Sequence, residues 1–323
     1  MSISIRKPKI LSKGANIKYF DINTIYALND GRLAVGDSNN VYIFNMKTYH
    51  LDLSIELKDT HFILQLKDNS LFLYRYDWSS EGPSEDIYYY NNIIELKDKT
   101  YIDKKNVLPK DSKYNILREY SSEILFGGIS YLKNEHSYCC TNASGPKRIQ
   151  KLVKTNGQYQ IALTRSFDFI DFILLKNNSM SVLREKYLEF YDIHKFIMIN
   201  KAKVNKGINL TLFNDKYLLL GTDKNVIIFD YIKNTSTKSI ACIYPLRKIF
   251  VNKNIVIIGE TTRYNLSKKK ADNQINEYEI DDIGNYKQKY MYKKPHNNEL
   301  LDITQLTDGR IISCSGAKIN IWK

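Results

Sequence analysis

Few residues of this sequence have the types and the spacing that metal binding or catalysis requires. The densest group of potential metal ligands is HSYCC, in which His136 precedes Cys139 and Cys140. A structural zinc site needs four such ligands, and no second pair follows at a suitable spacing. We therefore predict no bound metal and no cofactor, and we interpret the two cysteines as buried strand residues.

The acidic residues are not arranged for the hydrolysis of a sugar either. Glu85 is followed by Asp86, and Asp281 is followed by Asp282. Neighbouring side chains of a strand point to opposite faces, so neither pair converges on one substrate. The sequence also lacks a Gly-x-Ser-x-Gly elbow, a phosphate-binding glycine loop and a His-Glu-x-x-His motif. We predict that the chain is not an enzyme.

The composition predicts a soluble globular chain in a reducing compartment. Of the 323 residues, 43% are hydrophobic and 12% are aromatic, which is enough for a large core. No run approaches the roughly eighteen apolar residues of a membrane helix, and the N-terminus lacks the apolar centre of a signal peptide. Four scattered cysteines do not form a disulfide framework. We expect a cytoplasmic location, with the nucleus as the alternative.

The net charge of +13 has two explanations. Basic surfaces attract nucleic acids, but most of the 48 basic residues are Lys, and they accompany many Ile, Asn and Tyr residues. This composition is typical of A/T-rich genomes, whereas proteins that read nucleic acids favour the planar guanidinium of Arg. We prefer a solvated basic surface and keep nucleic-acid binding as the alternative.

A repeat of about 46 residues organises the chain. The segment LLDITQLTDGRIISCSGAKINIWK (300–323) aligns without gaps with INTIYALNDGRLAVGDSNNVYIFN (22–45), which in turn aligns with GINLTLFNDKYLLLGTDKNVIIFD (207–230). The two offsets, 278 and 185 residues, are six and four times one period near 46. The chain is therefore long enough for about seven units. Weaker units with the same order of apolar run, polar turn and apolar run occur near 65–78, 118–128, 172–183 and 249–259.

Each clear copy of the repeat indicates three short strands and two turns. Asp-Gly between apolar runs is typical of a hairpin, and consecutive apolar residues, as in 226–229, require cover on both faces. Four-stranded units of this size, each stacked on two neighbours, are typical of β-propeller blades. We predict an all-β fold, a seven-bladed β-propeller formed by a single domain over residues 1–323. A generic β-sandwich and a ring of six or eight blades are the alternatives.

The two chain ends are predicted to meet. The last unit supplies three strands and ends at Trp322, while residues 2–10 precede the first clear unit and belong to no blade. We predict that this N-terminal segment forms the outer strand of the last blade. Such a closure removes a sheet edge that would otherwise invite aggregation.

The clear copies resemble the WD40-repeat family. The stretch GTDKNVIIFD (221–230) is similar to that family's pattern of small residue, Asp, turn, β-branched pair and closing aromatic-Asp dipeptide, and INIW (319–322) keeps the tryptophan. The resemblance implies a propeller that displays loops to partners. No Gly-His dipeptide occurs, and the turn aspartate is present at Asp223 but replaced by Ser38 and Gly316 in the other copies. We therefore do not expect the family's Asp-His-Ser/Thr-Trp hydrogen-bond network to form in its usual way.

Candidate partner contacts lie in the turns between second and third strands. One expanded turn is acidic and contains Trp78, Glu81 and Glu85. An exposed Trp is a frequent interface anchor, although this ring could equally fold back over its own blade. We add Asp37 and Asp223, which lie in the corresponding turns of two clear copies.

A second expanded turn is basic. Its candidate contacts are Arg263, Tyr264, Lys268 and Lys269. These side chains could meet phosphate or an acidic partner, and the alternative is a solvated lysine loop without a partner.

The function predicted from these features is a non-catalytic scaffold for protein–protein interaction. A rim that carries opposite charges in different sectors suits a protein partner better than a uniform polyanion. A preordered ring also loses little entropy when a partner docks on its loops. The alternative is a propeller that associates with RNA or ribonucleoprotein through its Lys-rich loops.

Overall fold

A computed structural model describes most of the chain as strands and turns. The described residues are 4–5, 9–10, 22–57, 60–65, 69–79, 86–97, 100–103, 114–120, 123–129, 147–155, 158–167, 169–175, 179–193, 195–263, 265, 267, 270–293, 295–316 and 318–322. Within these ranges no helix is long and apolar enough to pass through a membrane. The predicted all-β class is confirmed, because the described elements are strands joined by turns and connections.

The first part of the chain forms two short strands and three sheets. The two short strands are β1 (Ser4–Ile5) and β2 (Lys9–Ile10). Sheet 1 contains β3 (Thr24–Ala27), β4 (Arg32–Gly36), β5 (Asn40–Asn45) and β6 (Leu51–Glu56). Sheet 2 contains β7 (Thr60–Gln65), β8 (Leu71–Ser79), β9 (Asp86–Leu96) and β10 (Tyr101–Asp103). Sheet 3 contains β11 (Tyr114–Tyr120), β12 (Glu123–Ile129), β13 (Lys147–Thr155) and β14 (Gln158–Phe167).

Four further sheets follow in chain order. Sheet 4 contains β15 (Asp171–Leu174), β16 (Ser179–Leu183), β17 (Tyr187–Asp192) and β18 (Met198–Lys203). Sheet 5 contains β19 (Gly207–Leu212), β20 (Tyr217–Thr222), β21 (Asn225–Asp230) and β22 (Thr235–Ala241). Sheet 6 contains β23 (Leu246–Asn252), β24 (Ile255–Thr261), β25 (Asn273–Ile280) and β26 (Tyr286–Lys293). Sheet 7 contains β27 (Asp302–Gln305), β28 (Ile311–Ser315) and β29 (Lys318–Trp322).

The sheets follow one another around a β-propeller. In sheets 1 to 6 the four strands named above, and in sheet 7 the three, are ordered as in the chain and pair antiparallel. First strands contact one another between sheets 1 and 2 and between successive sheets from 3 to 7, and β27 of sheet 7 contacts β3 of sheet 1. The order of sheets therefore returns to its beginning, as in the ring predicted from the repeat.

The core lies between neighbouring sheets. The second strands β16 and β20 are buried along their whole lengths, because other sheets cover both of their faces. Consecutive apolar residues in these strands are required by this two-sided burial. At the junction of sheets 6 and 7, Trp322 is 1% exposed and its ring lies 4.9 Å from that of Tyr292, centroid to centroid.

The N-terminal segment joins the last two sheets. Lys9 and Ile10 of β2 pair antiparallel with Ile321 and Asn320 of β29, so the predicted closure of the last unit is confirmed at these residues. Strand β1 adds a feature that the sequence did not indicate, since it pairs in parallel with β26, the outer strand of sheet 6. The same short segment thus contacts two successive sheets.

A buried carboxylate connects three sheets near the inner strands. Asp302, at the start of β27, is 8% exposed. Its Oδ2 accepts hydrogen bonds from Thr24 Oγ1 (3.2 Å) and Ile25 N (3.3 Å) of sheet 1. Its Oδ1 lies 3.0 Å from Lys248 Nζ of sheet 6. Asp171 of sheet 4 makes a similar contact with the next sheet, accepting from Leu210 N at 2.8 Å.

The closure by β2 predicts a difference between two truncations. Deleting residues 1–10 removes the partner of β29, and we expect the free energy of unfolding to fall by about 2 kcal/mol because paired backbone groups and covered apolar area are lost. Deleting residues 1–5 retains β2 and should have a smaller effect. Urea denaturation followed by circular dichroism measures both. Equal stabilities of the two truncated chains would contradict the closure.

Candidate interaction site on the rim of sheets 5 and 6

The turns between second and third strands share one end of the fold with the connections between sheets. This follows from the antiparallel order of the strands, because every second reversal of the chain occurs at the same end of a sheet. We call this end the upper rim and the opposite end the lower rim. Loops of several sheets meet on such a rim, and binding residues are commonly placed on loops that a rigid scaffold positions.

The connection between β22 and β23, residues 242–245, is held between two turns of the upper rim. On one side Cys242 N donates to Lys224 O (2.8 Å), in the turn between β20 and β21. On the other side Pro245 O accepts from Thr261 N (2.9 Å), at the end of β24. Ile243, within this connection, is 69% exposed. A large apolar side chain is therefore displayed on a segment that is fixed from both sides.

A buried glutamate also fixes the backbone of the 242–245 connection by hydrogen bonds. Glu260 of β24 is 1% exposed, and its Oε2 accepts from Ile243 N (2.7 Å) and Tyr244 N (2.9 Å). Its Oε1 accepts from Asn276 Nδ2 (2.6 Å), and Gln274 Nε2 lies 3.2 Å from Oε1 and 3.3 Å from Oε2. Burying a carboxylate is unfavourable unless such donors replace water. Here they also determine where Ile243 is presented.

The hairpin between β24 and β25 continues the rim towards sheet 7. Thr262 N donates to Asp272 O (2.8 Å), and Ala271 N donates to Asn297 O (2.8 Å) in the connection between sheets 6 and 7. Asn273 Nδ2 donates to the carbonyl oxygens of His296 and Asn298, both at 3.0 Å. Hydrogen bonds thus join the described rim from the sheet 5 turn to the sheet 7 connection.

Exposed charged side chains occur on Arg247, next to the 242–245 connection in sequence, and in the two turns that hold this connection. Lys224, Arg247 and Arg263 are exposed, and Asp223 is exposed beside Lys224. Arg247 Nε donates to Leu301 O (3.4 Å), which extends the basic sector towards sheet 7. An apolar centre with a charged border is the usual anatomy of a protein interface.

Two of the contacts predicted from the sequence lie on this rim. Asp223 and Arg263 are both exposed, and they belong to the two turns between which the 242–245 connection is held. Their role in binding stays a prediction. The sequence pointed to the turns but not to Ile243, because nothing local indicates that this connection is held rigid and exposed.

Asp37 has a different environment from the one predicted. It is 0% exposed, and its Oδ1 accepts from Asn39 N (2.8 Å) and Asn40 N (2.7 Å). The carboxylate therefore stabilises the turn between β4 and β5 and offers no surface to a partner. The adjacent Tyr42 has a raised pKa, because of burial and of the Asp37 charge. We remove Asp37 from the candidate contacts.

Trp78 lies in a strand rather than in the loop that the sequence indicated. It belongs to β8 and pairs with Ile87 of β9, so the hairpin extends to Ser79 and Asp86. The remaining candidates and the possible metal ligands lie outside the described residues: Glu81, Glu85, Tyr264, Lys268, Lys269, His136, Cys139 and Cys140.

A buried histidine near the sheet 7 rim belongs to a side-chain hydrogen-bond network. His296 Nε2 lies 2.9 Å from Ser313 Oγ, which also accepts from Trp322 Nε1 (3.0 Å). The network contains His, Ser and Trp but no aspartate, because Gly316 occupies the turn position. It therefore does not take the four-member form of the WD40 family, as expected from the sequence. No Gly-His dipeptide marks His296, because this residue follows Pro295. The sequence feature that could have indicated this network is a histidine in the connection that precedes the unit containing Trp322.

Burial shifts the pKa of two ionisable groups near the rim. Burial, with a smaller effect of Lys318, lowers the pKa of His296 to about 3, so the ring is neutral at physiological pH. Burial and the Glu260 carboxylate raise the pKa of Cys242 to about 12, so its thiol stays protonated. Among the described residues, no three His, Cys, Asp or Glu side chains are grouped to hold a metal ion.

Comparisons with known proteins support the fold. No protein-family model and no curated protein matches the sequence. A chain of the mitotic checkpoint complex is similar at TM-score 0.65 and 11% identity, over 100% of this chain and 93% of that one. A streptogramin B lyase is similar at TM-score 0.61 and 12% identity, over 98% and 97%. BamB from Moraxella catarrhalis is similar at TM-score 0.50 and 12% identity, over 94% and 85%. The chain shares the β-propeller fold with these proteins.

The Glu260 cluster predicts a specific loss of stability. In Glu260→Gln an amide nitrogen replaces an acceptor oxygen, so at least one of the surrounding donors loses its partner. We expect the free energy of unfolding to fall by about 2 to 3 kcal/mol, and hydrogen exchange at Ile243 N and Tyr244 N to accelerate. The exposed Glu185→Gln is the matched control. Unchanged exchange at the two amides would show that Glu260 does not hold the connection.

The low pKa of His296 predicts acid sensitivity. Between an unfolded pKa of about 6.5 and the folded value of about 3, the unfolded state binds one more proton than the folded state. Stability should therefore be complete above pH 6.5 and fall by about 1.4 kcal/mol per pH unit below it. Urea denaturation at several pH values should show a shallower dependence for His296→Gln. Exposed His50→Gln should behave like the wild type, and identical slopes for all three would contradict the assignment.

Proposed function

We propose that this chain is a non-catalytic, WD40-type scaffold that binds a protein partner through the upper rim of sheets 5 and 6. The observation that carries the proposal is the display of Ile243, which is 69% exposed on a connection anchored by a buried carboxylate. We further propose that the seven described sheets are seven blades of one ring, and that the protein acts in the cytoplasm or nucleus.

The fixed backbone around Ile243 favours binding. Ordering a loop when a partner docks opposes association, and this contribution is small when the loop is already ordered. Glu260 and the contacts of residues 242–245 with Lys224 and Thr261 provide that order. A single apolar side chain in such a position resembles the anchors that dominate protein interfaces.

The charges around Ile243 indicate the chemistry of the partner. Lys224, Arg247 and Arg263 favour acidic residues, while Asp223 adds one negative charge at the border. The complementary surface is an apolar pocket bordered mainly by acidic side chains. Electrostatic complementarity of this kind increases the association rate and discriminates among partners.

A non-catalytic role is supported by the state of the described ionisable groups. Both oxygens of Glu260 already accept hydrogen bonds, His296 is buried with a pKa near 3, and the Cys242 thiol is protonated. None of these groups is poised as an acid, a base or a nucleophile near physiological pH. Of the similar structures, one belongs to a complex and another is a lyase, so their names do not decide between the two classes.

The proposal predicts the effect of one substitution on partner capture. Affinity purification from an extract of the source cells should recover a partner with the wild type and at least tenfold less with Ile243→Asp, because a carboxylate replaces the apolar anchor. Ile283→Asp is the matched control, since Ile283 is also 69% exposed but lies in a turn of the lower rim. A parallel Trp78→Ala sample tests the contact predicted in sheet 2.

Nuclease treatment separates the proposal from its alternative. Binding to a protein partner should survive nuclease and change little with moderate salt. Loss of all partners on nuclease treatment, or a steep loss of binding between low and moderate salt, would favour the RNA alternative. Equal capture by wild type and Ile243→Asp would overturn the assignment of the site.

A further inference from the structure

Sheets 7 and 1 meet without a direct chain connection. All other neighbouring sheets are consecutive in the sequence, whereas β3 of sheet 1 follows β2 and not β29. The chain crosses this junction only through β2, which is held on β29 by the pairing of Lys9 and Ile10. We call this junction the seam. It is the junction that can separate by the loss of non-covalent contacts alone.

Two backbone amides of the first sheet donate across the seam. Ile22 N donates to Gly316 O (2.9 Å), and Ile25 N donates to Asp302 Oδ2 (3.3 Å). An amide that is bonded in this way exchanges its hydrogen with solvent only when the bond breaks. The exchange rates of these two amides therefore report on opening of the seam.

An arginine crosses the seam on the lower rim. Arg310, just before β28, donates from Nη1 to Tyr49 Oη (2.8 Å) and from Nη2 to Met46 O (2.8 Å), both of which precede β6 in sheet 1. Its guanidinium carbon also lies 5.6 Å from the Tyr49 ring centroid. The Arg310 side chain is only 14% exposed, so solvent and salt screen these contacts weakly.

Asp308 holds the guanidinium of Arg310 in position. Its Oδ2 accepts from Arg310 Nε (2.8 Å) and lies 2.7 Å from Nη2, while its Oδ1 accepts from Arg310 N (3.1 Å). The hydrogen bond from Arg310 holds the pKa of Asp308 below its usual range. A planar guanidinium that one carboxylate fixes presents its other donors in a set direction. Here that direction is towards sheet 1.

Tyr49 adopts a backbone conformation that is unusual for its type. Its φ of 63° lies in the left-handed region, which is unfavourable for bulky side chains and more accessible to Asn. The residue at the same place of the repeat, 185 positions later, is Asn234, with a φ of 58°. Strained residues of this kind mark positions with a specific role. The contact of the Tyr49 hydroxyl with Arg310 accounts for a tyrosine here.

The repeat contains a matched arginine that does not cross a junction. Arg32 follows an Asp-Gly pair, as Arg310 does. Its Nε donates to Asp30 Oδ2 (2.8 Å), and its Nη2 lies 2.7 Å from the same oxygen. Among the residues that the structure describes, the Arg32 side chain bonds to Asp30 and to no residue of another sheet. The same turn thus gives a contact within one sheet in sheet 1 and a contact between sheets at the seam.

We propose that Arg310 and Tyr49 form a latch that controls opening of the ring at the seam. When their contacts break, sheets 7 and 1 separate as intact units, because the strand pairing within each sheet is not interrupted. The other junctions stay closed, since a chain connection also joins each of them. The latch includes no residue of the upper rim, so its failure would leave the function proposed for that rim unaffected.

A buried cysteine provides a probe of the seam. Cys314 of β28 is 0% exposed and packs between the two sheets in one apolar cluster with Val35 and Phe44. Opening of the seam exposes its thiol to a reagent. Cys242, between sheets 5 and 6, is partly exposed and serves as an internal reference. Mass spectrometry of peptides assigns the label to each cysteine.

Labelling of the full chain with iodoacetamide tests the latch. Tyr49→Phe removes only the hydroxyl and should accelerate labelling of Cys314 about fivefold, because one net hydrogen bond is lost. Arg310→Lys loses both hydrogen bonds to sheet 1 and should accelerate it further. The matched control Arg32→Lys should behave like the wild type, because its contacts lie within one sheet and persist when the seam opens. Labelling of Cys242 should be equal in all four proteins.

The urea dependence of labelling is a second criterion. Opening of one seam exposes little surface, so labelling of Cys314 should depend on urea more weakly than global unfolding followed by circular dichroism. A dependence equal to that of global unfolding would overturn the latch, since the thiol would then be exposed only when the whole ring unfolds. Unchanged labelling of Cys314 in Tyr49→Phe, or equal acceleration in Arg32→Lys, would also overturn it. Hydrogen exchange at Ile22 N and Ile25 N should accelerate in parallel with the labelling of Cys314.

Discussion

Face-to-face packing of the sheets is the constraint on which the rest of the structure depends. Second strands such as β16 and β20 are buried on both faces, so their sheets need a neighbour on each side. A row of sheets would leave its first and last members with an uncovered apolar face. Contact between β27 and β3 removes both uncovered faces at once. The pairing of β2 with β29 then completes the last sheet with residues from the opposite end of the chain.

Buried carboxylates supplement this non-directional packing with specific contacts. Asp302 connects sheets 6, 7 and 1, and Asp171 connects sheets 4 and 5. Glu260 acts within the rim, where it fixes the connection that carries Ile243. An isolated buried charge is strongly destabilising, so each carboxylate constrains the donors that must surround it. Packing alone does not provide such directional constraints.

Local sequence patterns were sufficient to predict the class of fold and the positions of several turns. The 46-residue period, the Asp-Gly turns and the two-sided apolar strands predicted an all-β propeller, and the unassigned segment 2–10 predicted the closure observed at Lys9 and Ile10. These features are readable because strand alternation, turn formation and repetition are recorded in neighbouring residues. Asp223 and Arg263 were predicted to lie in such turns, and both are exposed.

Tertiary structure alone decided which polar residues are buried and which apolar residues are displayed. Asp37 is buried while Ile243 is exposed, the Trp78 hairpin is longer than its sequence indicated, and His296 joins Ser313 and Trp322 in a network. The pairing of β1 with β26 likewise had no local signal. Each of these outcomes depends on residues that are distant in the chain. Sequence spacing carries no record of such contacts, because they arise only when the sheets are assembled into the ring.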